Sequence, residues 1–193
     1  LQADISRELI QAGVPVYAFN QRSVDDVLAM IATVGRLVGA EDQALAMVAE
    51  LQAIIEATRA QAAALPCRPK VYFEEWDEPQ ISCIRWVSEM IEIAGGIDIF
   101  ADRARHQSAK ERIIADPLEV VRRAPDIIIG SWCGKHFRPE RVVAREGWSA
   151  VPAVARGQIH ELKSAVILNP GPVAIREGLP ALVALFREWA SRS

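Results

Sequence analysis

Two tryptophans occupy positions where a ligand could be recognised. Trp76 and Trp132 each stand at the carboxyl end of a predicted strand, Val71 to Trp76 and Ile127 to Trp132. An indole ring offers a large apolar face at little entropic cost, so a tryptophan at such an edge can stack on a flat ligand. The alternative is that both rings simply cover the top of the sheet. Two tryptophans at neighbouring strand ends favour stacking more than either one alone.

Four carboxylates surround the first tryptophan, at Glu74, Glu75, Asp77 and Glu78. Carboxylates can act as general acids and bases. These four, however, lie on one predicted loop and lack the facing partner that a glycosidase pair requires. The pattern therefore favours solvated loop charges over catalytic groups.

A cysteine and a histidine follow the second tryptophan, Cys133 and His136, with Gly134 and Lys135 between them. A thiol at a strand-to-loop turn beside a histidine is how a cysteine nucleophile is built. The same spacing could let the pair share a metal ion, although two ligands make an incomplete site and no third cysteine or histidine is near in sequence. The glycines form neither a GxGxxG motif nor a P-loop, so no phosphate-binding loop is predicted.

These residues come together if the predicted strands form one sheet. The two strands above and a third, Gln158 to Leu162, alternate with helical segments, a pattern that predicts right-handed crossovers and a parallel sheet. Ile127 to Trp132 is apolar on both faces, so we expect it between the other two strands. The loop Lys163 to Pro172, which contains Asn169, should reach the same carboxyl edge, where ligands of such sheets bind.

Caps and breakers mark the helices between these strands. Ser82 is predicted to cap a helix that runs to Ala94, and Asp116 followed by Pro117 is predicted to begin another. The polar run from Ala101 to Lys110 is predicted to be an exposed loop. Strand, helix and loop therefore alternate through the second half of the chain.

The stretch from Glu41 to Leu65 is predicted to form one long amphipathic helix. Its apolar residues recur at alternating steps of four and three, and alanine, the strongest helix former, is frequent. At about 1.5 Å per residue the helix spans roughly 37 Å, about the width of a small domain. We expect it to join two lobes; the alternative is a long helix on the face of a single sheet.

The segment before this helix reads as part of an α/β unit. Ala3 to Ala12 is predicted to be a helix ended by Gly13, and Val14 to Phe19 a buried strand. Ser23, with Asp26 three residues on, predicts the capped start of a second helix. Because one strand cannot make a sheet, we expect that preceding strands are missing from this chain or are supplied by another molecule.

Composition bounds the class of protein. The chain has 193 residues, 51% of them hydrophobic, and a net charge of -3, so it is predicted to be globular and to lack the basic surface of a nucleic-acid partner. No apolar run reaches about 18 residues, so no membrane span is predicted. No signal peptide is visible, since Leu1 to Leu9 includes acidic and basic residues. Three cysteines at wide spacing predict neither a disulfide framework nor a zinc cluster.

A series of stretches forms an ordered pattern over nearly the whole chain. They are Lys70-Val71-Tyr72-Phe73-Glu74-Glu75-Trp76-Asp77-Glu78-Pro79, Trp86-Val87-Ser88-Glu89-Met90-Ile91 leading into Ala94-Gly95-Gly96, Pro125-Asp126-Ile127-Ile128-Ile129 with Cys133-Gly134, Trp148, Val151-Pro152-Ala153-Val154, and Asn169-Pro170-Gly171-Pro172. In their order and spacing they resemble the cobalamin-type substrate-binding proteins of ABC importers. These belong to a wider class III, helical-backbone group that also takes ferric siderophores and haem.

The resemblance implies two lobes on one long helix, with the ligand clamped between them, and a place in the periplasm or at the cell surface on a lipid anchor. It also implies strands ahead of Leu1, so half of the cleft is expected to lie outside this sequence. Family members commonly dock onto their permease through a glutamate on each lobe. At the corresponding position of the second lobe this chain has Leu168, and Val173 replaces an arginine that is frequent after the Pro-Gly-Pro turn.

We therefore predict an α/β protein in three parts: residues 1–40 as the remnant of an N-terminal lobe, 41–66 as a connecting backbone helix, and 67–193 as a C-terminal lobe, a three-layer parallel sheet with flanking helices. The predicted function is to bind a corrinoid such as cobalamin for an ABC permease, without catalysis and without a cofactor or metal of its own. The alternatives are a ferric siderophore or haem as ligand, or a Cys133/His136 enzyme. Self-association through the incomplete lobe is a further expectation.

The predicted ligand-binding residues lie on the strand-end loops. They are Glu75, Trp76, Trp132, Cys133, Gly134, Lys135, His136 and Asn169. Stacking is assigned to the two tryptophans. Polar contacts are assigned to Glu75, Lys135 and Asn169. His136 is expected to contact the edge of the ligand or its metal.

Overall fold

The computed structural model describes residues 2–192 and contains a five-stranded, mostly parallel sheet. Its strands are β1 (Lys70–Asp77), β2 (Gln80–Ser82), β3 (Ile97–Asp98), β4 (Ile127–Gly130) and β5 (Ile159–Glu161). Their order is β2-β1-β4-β5, and β3 pairs with the first residues of β1. Of these strands, β2 runs antiparallel to β1.

The central position of β4 confirms the prediction made from its composition. It pairs in parallel with β1 on one side and β5 on the other. Ile127, Ile128 and Ile129 are 0% exposed, as expected for a strand covered on both faces. The strand ends at Gly130, so Ser131 and Trp132 belong to the loop that follows.

Residues 2–192 contain ten helices, and members of this set cover both faces of the sheet. They are α1 (Gln2–Gln11), α2 (Val24–Leu37), α3 (Glu41–Ala63), α4 (Arg85–Ile93), α5 (Ala101–Ala104), α6 (Leu118–Arg123), α7 (Pro139–Val143), α8 (Pro152–Ala155), α9 (Ser164–Ile167) and α10 (Leu179–Arg192), with short 3-10 turns at Ala109–Arg112 and Trp148–Ala150 and a π turn at Ala174–Gly178. One apolar core joins α2, α3, α4 and α10 to one face, and a second joins α6, α7 and α8 to the other. The three-layer α/β architecture is thus confirmed.

The long helix forms as predicted, without a break, from Glu41 to Ala63. Leu51, Ile55 and Thr58 are buried along one stripe. It packs against α2, α4 and α10, and all four helices share one core. The helix therefore joins the N-terminal segment to the sheet, and the division of the chain into lobes stays a proposal.

The predicted strand from Val14 to Phe19 is wrong. These residues have no regular secondary structure, and Val14, Tyr17 and Phe19 are 45%, 61% and 37% exposed. The helix before them forms as expected and ends at Gln11, and Gly13, whose φ is +75°, follows it in the conformation typical of a C-terminal cap. A strand exists when its backbone pairs with a neighbour, and within residues 2–192 no strand pairs with this segment.

The predicted capping role of Ser82 is also wrong. Ser82 ends β2, which turns back along β1, and its hydroxyl donates to Arg112 O at 3.3 Å. The following helix begins at Arg85. The backbone N–H of Ile84, the residue before it, donates a hydrogen bond to the carboxylate of Glu75 at 3.1 Å. Strand pairing and a distant carboxylate thus replace the local cap.

The segment Ala101 to Lys110 contains more structure than the exposed loop that its polarity predicts. It begins with the short helix α5 and ends in a 3-10 turn capped by Ser108. Ala104 is buried in this segment, while residues 105–110 are exposed.

Among residues 2–192, no helix is both long and apolar enough to cross a membrane.

Candidate functional site

The buried carboxylate of Glu74 organises the carboxyl end of β1. Glu74 is 0% exposed, and Arg145 grips it with two hydrogen bonds, Nη1 to Oε2 at 2.6 Å and Nη2 to Oε1 at 2.9 Å. The hydroxyl of Tyr72 and the Nε1 of Trp132 each donate to Glu74 at 2.9 Å. Each carboxylate oxygen accepts two hydrogen bonds, so the Glu74 carboxylate is held rigidly and its charge is compensated by Arg145.

The surroundings of Glu74 shift the pKa values of its neighbours. Burial raises the pKa of Tyr72 well above its ordinary value, and the negative charge of Glu74 raises it further. Burial lowers the pKa of Arg145, but the hydrogen bonds and charge of Glu74 raise it by more, so the net shift is upward. Tyr72 is therefore a hydrogen-bond donor and Arg145 a permanent cation.

Glu75 is paired inside the protein. Arg112 Nη1 lies 2.7 Å from Glu75 Oε2, and the Arg112 side chain is 2% exposed. The same guanidinium donates to the carbonyl of Ser82. A carboxylate with these partners and the N–H of Ile84 has little capacity left for a ligand, so the predicted polar contact by Glu75 stays a proposal.

Asp77, the last residue of β1, is held by two cations. Lys135 Nζ donates to Oδ1 at 3.0 Å and Arg141 Nη1 to Oδ2 at 2.7 Å, while the Asp77 side chain is 2% exposed. Burial raises the pKa of Asp77, but the hydrogen bond and charge of Lys135, with the charge of Arg141, lower it by more. The net pKa lies below its ordinary value, so the carboxylate is ionised at neutral pH.

The expectation that the strand-end carboxylates are solvated is therefore wrong for Glu74, Glu75 and Asp77. A bulge in β1 between Glu74 and Trp76 changes the alternation of side chains at this point. Sequence reasoning missed the cations that pair with these groups: Arg112, Lys135, Arg141 and Arg145. The arginines lie 37 to 71 residues away along the chain, so no local pattern points to them.

The two predicted stacking tryptophans have different surroundings. Trp132 is 3% exposed, and its ring meets Phe137 edge to face with centroids 5.0 Å apart. Phe137 can pack there because Gly130 has no Cβ, which would lie 1.9 Å from the phenyl ring. Trp132 therefore belongs to the core, and its predicted role as an exposed stacking face is wrong.

Trp76 remains available as a recognition surface. It is half-buried, and its Nε1 donates to the carbonyl of Glu78 at 2.8 Å, which fixes the plane of the ring. Lys135 Nζ lies 3.9 Å from the ring centroid. Of the two predicted rings, Trp76 is thus the one that stands at the edge of the sheet with an accessible part.

The loop after Trp132 is exposed as a unit. Cys133, Gly134, Lys135 and His136 are all exposed, and Gly134 has φ +72°, a conformation that favours glycine. Within residues 2–192 the structure records no hydrogen bond between Cys133 and His136, and no group of three or more metal-ligating side chains is present there. The nucleophile and shared-metal alternatives thus gain no support.

Asn169 lies apart from these groups, exposed on the loop between α9 and the π turn. Its carbonyl accepts from the N–H of Gly171 at 2.8 Å. No hydrogen bond of the described residues joins its side chain to the other predicted site residues. Its place at the site therefore stays a proposal.

A cavity of about 860 Å³ lies beside the end of β1 and was not predicted. Its walls are mostly apolar and include Ile113 and Ile114 from the loop between the 3-10 turn Ala109–Arg112 and α6, Leu118 at the start of α6, and Asp77, Pro79 and Arg145 toward β1. The loop residues carry no motif that marks them in the sequence. Folding brings them next to the charged pairs of the strand end.

Comparison with solved structures identifies the fold. The periplasmic haem-binding protein RhuT from Roseiflexus sp. RS-1 is 24% identical, with a TM-score of 0.81, over 97% of this chain and 72% of that protein. The vitamin B12 binding protein BtuF of Vibrio cholerae is 18% identical, with a TM-score of 0.73, over 99% and 71%. Staphylococcus aureus IsdE, solved with haem, is 17% identical, with a TM-score of 0.74, over 96% and 73%.

At these identities the structural likeness establishes the fold alone. No curated protein shows significant sequence similarity to the chain. The sequence profile of the periplasmic binding protein family, however, matches residues 1–166. This match covers most of the chain and agrees with the resemblance found from its motifs. Its relatives are solute-binding proteins rather than enzymes, and the chain belongs to the periplasmic binding protein family.

Proposed function

We propose that the chain is the substrate-binding component of an ABC importer, works outside the cytoplasm and binds a flat metal chelate, with a corrinoid as the first candidate. The observation that carries the proposal is Trp76, a half-buried ring at the carboxyl end of β1. Because its hydrogen bond to Glu78 O at 2.8 Å holds the ring plane, a flat ligand would meet a surface whose orientation is already set.

The loop after β4 supplies groups for the rest of the ligand. Its residues 133–136 are exposed, and a histidine nitrogen is a common ligand of iron and other transition metals. We assign to His136 the contact with the metal of the chelate, and to Cys133 and Gly134 contacts along its edge. Asn169 is proposed to hydrogen-bond a polar group of the ligand from the neighbouring loop.

Charge pairing around Trp76 favours a ligand with a neutral rim. Glu74, Glu75 and Asp77 each hold a cation of the protein at 3.0 Å or less. An anionic ligand would have to compete with these carboxylates for the same cations. A corrinoid carries amides around its ring, whereas haem carries carboxylates. The pairing therefore favours the corrinoid.

Haem or a ferric siderophore is the second candidate. The ammonium of Lys135, whose side chain is 42% exposed, is the nearest cation to Trp76 and could pair with a carboxylate of such a ligand. RhuT and IsdE are similar structures whose names or bound ligands indicate haem. The enzyme alternative has no comparable support, because no hydrogen bond activates Cys133 in the described part of the chain.

Docking to a permease is part of the same proposal. Leu168, at the position where the family commonly has a glutamate, is half-buried and uncharged. We therefore expect docking without a carboxylate at this place. Self-association stays a prediction as well; the exposed apolar side chains of Val14, Tyr17 and Phe19 are the surface on which it would depend.

Titration with cyanocobalamin, haemin and a ferric hydroxamate, followed by tryptophan fluorescence and calorimetry, tests the proposal. Trp76→Ala should weaken binding about tenfold or more, since stacking and lost ring area both contribute. Trp76→Phe, which keeps a ring, should retain most of the affinity.

A matched pair of histidine variants isolates the metal contact. His136→Ala should weaken binding, while His106→Ala, at another exposed histidine that lies 3.7 Å from Glu111, should not. If the protein binds none of the chelates, the proposed function is wrong. If Trp76→Ala binds as tightly as the unchanged protein, the stacking role is wrong.

A further inference from the structure

One face of the Trp76 ring is already occupied by a cation of the protein. Lys135 Nζ lies 3.9 Å from the centroid of the indole ring. An ammonium at this distance is attracted to the electron-rich face of the ring. Another flat group cannot stack on this face while the ammonium stays there.

Lys135 is held by a buried carboxylate but is itself half in solvent. Its Nζ donates to Asp77 Oδ1 at 3.0 Å, and the side chains are 42% exposed for Lys135 and 2% for Asp77. A lysine reaches its partner through a flexible four-carbon stem. The ammonium can therefore move into water by rotation of the side chain, without movement of the backbone.

Departure of Lys135 would not leave Asp77 without a cation. Arg141 Nη1 donates to the other carboxylate oxygen at 2.7 Å, and its Nη2 binds Glu78 at 2.9 Å. An uncompensated buried carboxylate would be costly, and Arg141 removes that cost. The orientation of Trp76 is also independent of Lys135, because Glu78 O holds its Nε1.

We propose that Lys135 is a releasable cover on Trp76 and a specificity-determining residue of the site. A ligand stacks on the ring when it displaces the ammonium, so the cover selects against ligands whose stacking is too weak to replace the cation–π contact and the ion pair. This inference rests on the proposed function, because that function assigns stacking to Trp76. Trp76 provides the stacking surface, and Lys135 determines how strongly a ligand must stack in order to bind there.

The first test needs no ligand. Acrylamide quenching of tryptophan fluorescence is compared between the unchanged protein, Lys135→Ala and Lys110→Ala. A parallel series adds Trp76→Phe to each of the three proteins. The difference between the two series gives the contribution of Trp76. Lys110 is an exposed lysine in the 3-10 turn Ala109–Arg112 and serves as the control. We expect Trp76 to become more accessible in Lys135→Ala and to stay unchanged in Lys110→Ala.

The second test measures the binding of cyanocobalamin to the protein and its lysine variants. Lys135→Ala should bind about two- to fivefold more tightly, the equivalent of a cation–π contact at an exposed site, and Lys135→Arg should not gain affinity. Salt weakens the ion pair of Lys135 with Asp77, so binding by the unchanged protein should tighten as salt is added, and Lys135→Ala should lose this dependence.

The outcomes separate the two proposals. If a chelate binds but Lys135→Ala binds it equally or more weakly, or if Trp76 is equally accessible in both proteins, Lys135 is no cover. If no chelate binds, the proposed function fails, while the quenching result still decides whether Lys135 covers the ring.

Discussion

Two buried carboxylates on neighbouring strands are stabilised in opposite ways. Glu74 of β1 is 0% exposed and is paired with Arg145 through two hydrogen bonds. Asp98 of β3 is 5% exposed and accepts hydrogen bonds from neutral donors: Ser88 Oγ at 2.6 Å, Phe100 N at 3.0 Å and Cys83 Sγ at 3.4 Å. Burial raises the pKa of Asp98, and these hydrogen bonds offset the rise in part.

The comparison shows that burial does not by itself determine how a carboxylate behaves. A guanidinium supplies a compensating charge in fixed geometry, whereas neutral donors supply dipoles that leave part of the desolvation cost in place. The charge at the candidate binding edge is therefore held by a permanent partner. The charge of Asp98, at the other end of β1, is open to adjustment by pH.

Removal of the cation from Glu74 should have the largest effect. Arg145→Met leaves a fully buried carboxylate without its charged partner, so we expect a loss of about 3 to 5 kcal/mol in the free energy of unfolding. Urea unfolding followed by circular dichroism measures it. Arg122→Met is the control, because the Arg122–Asp116 pair is 61% and 52% exposed and water screens it, so its loss should change the free energy of unfolding far less. Equal losses of stability in the two variants would contradict the interpretation that Arg145 compensates the buried charge of Glu74.

A packing variant in the same cluster shows how much of that loss is due to charge. Ile128 is 0% exposed in the same apolar core as Tyr72 and Trp132. Ile128→Ala should lower the free energy of unfolding by about 2 to 5 kcal/mol through lost burial and the cavity left behind. A loss below about 0.5 kcal/mol would mean that the centre of the sheet is not packed as described.

Asp98→Asn tests the other member of the pair through pH. Since the folded pKa of Asp98 is raised above its ordinary value of 3.8, its protonated form stabilises the fold below pH 3.8, and that contribution is lost as the pH rises through the folded pKa. The unchanged protein should therefore lose stability relative to Asp98→Asn as the pH rises from 3.8 through the folded pKa. Hydrogen-bond changes in the variant should cost about 1 kcal/mol. The free energy of unfolding is measured for both proteins at several pH values. If it depends on pH in the same way for both, the raised pKa of Asp98 is refuted.

The smallest effect on stability is expected for Lys135→Ala. Its ion pair with Asp77 is partly exposed, and Arg141 keeps the carboxylate paired at 2.7 Å, so the free energy of unfolding should change by about 0.5 kcal/mol or less. Thermal and urea unfolding measure this change. A loss of more than about 2 kcal/mol would show that Lys135, like Arg145, is needed for the stability of the fold.

Elements that depend on neighbouring residues could be predicted from the sequence. Ser23 and Asp26 form both hydrogen bonds of the predicted capping box at the start of α2. The helix from Glu41 ends within two residues of the predicted position, because helix propensity and apolar spacing are local properties. β4 was predicted as central since three consecutive isoleucines require cover on both faces.

Elements that depend on distant residues could not be predicted in the same way. Val14 to Phe19 has the composition of a strand but no partner strand among residues 2–192, so it stays exposed. Ser82 has the side chain of a helix cap, yet pairing of β2 with β1 places it in the sheet. In both cases a non-local interaction, present or missing, outweighed a local signal.

The sequence by itself determined where the candidate site lies, because the alternation of strands and helices brings the loops after β1 and β4 to one edge. It also determined that acids and a tryptophan stand at that edge. The tertiary structure decided which charges are paired, since Arg112 and Arg145 reach Glu75 and Glu74 across 37 and 71 residues of chain. It also decided that Trp132 is covered by Phe137 while Trp76 stays half-buried at the edge of the sheet, because exposure depends on what packs against a ring once the loops have folded.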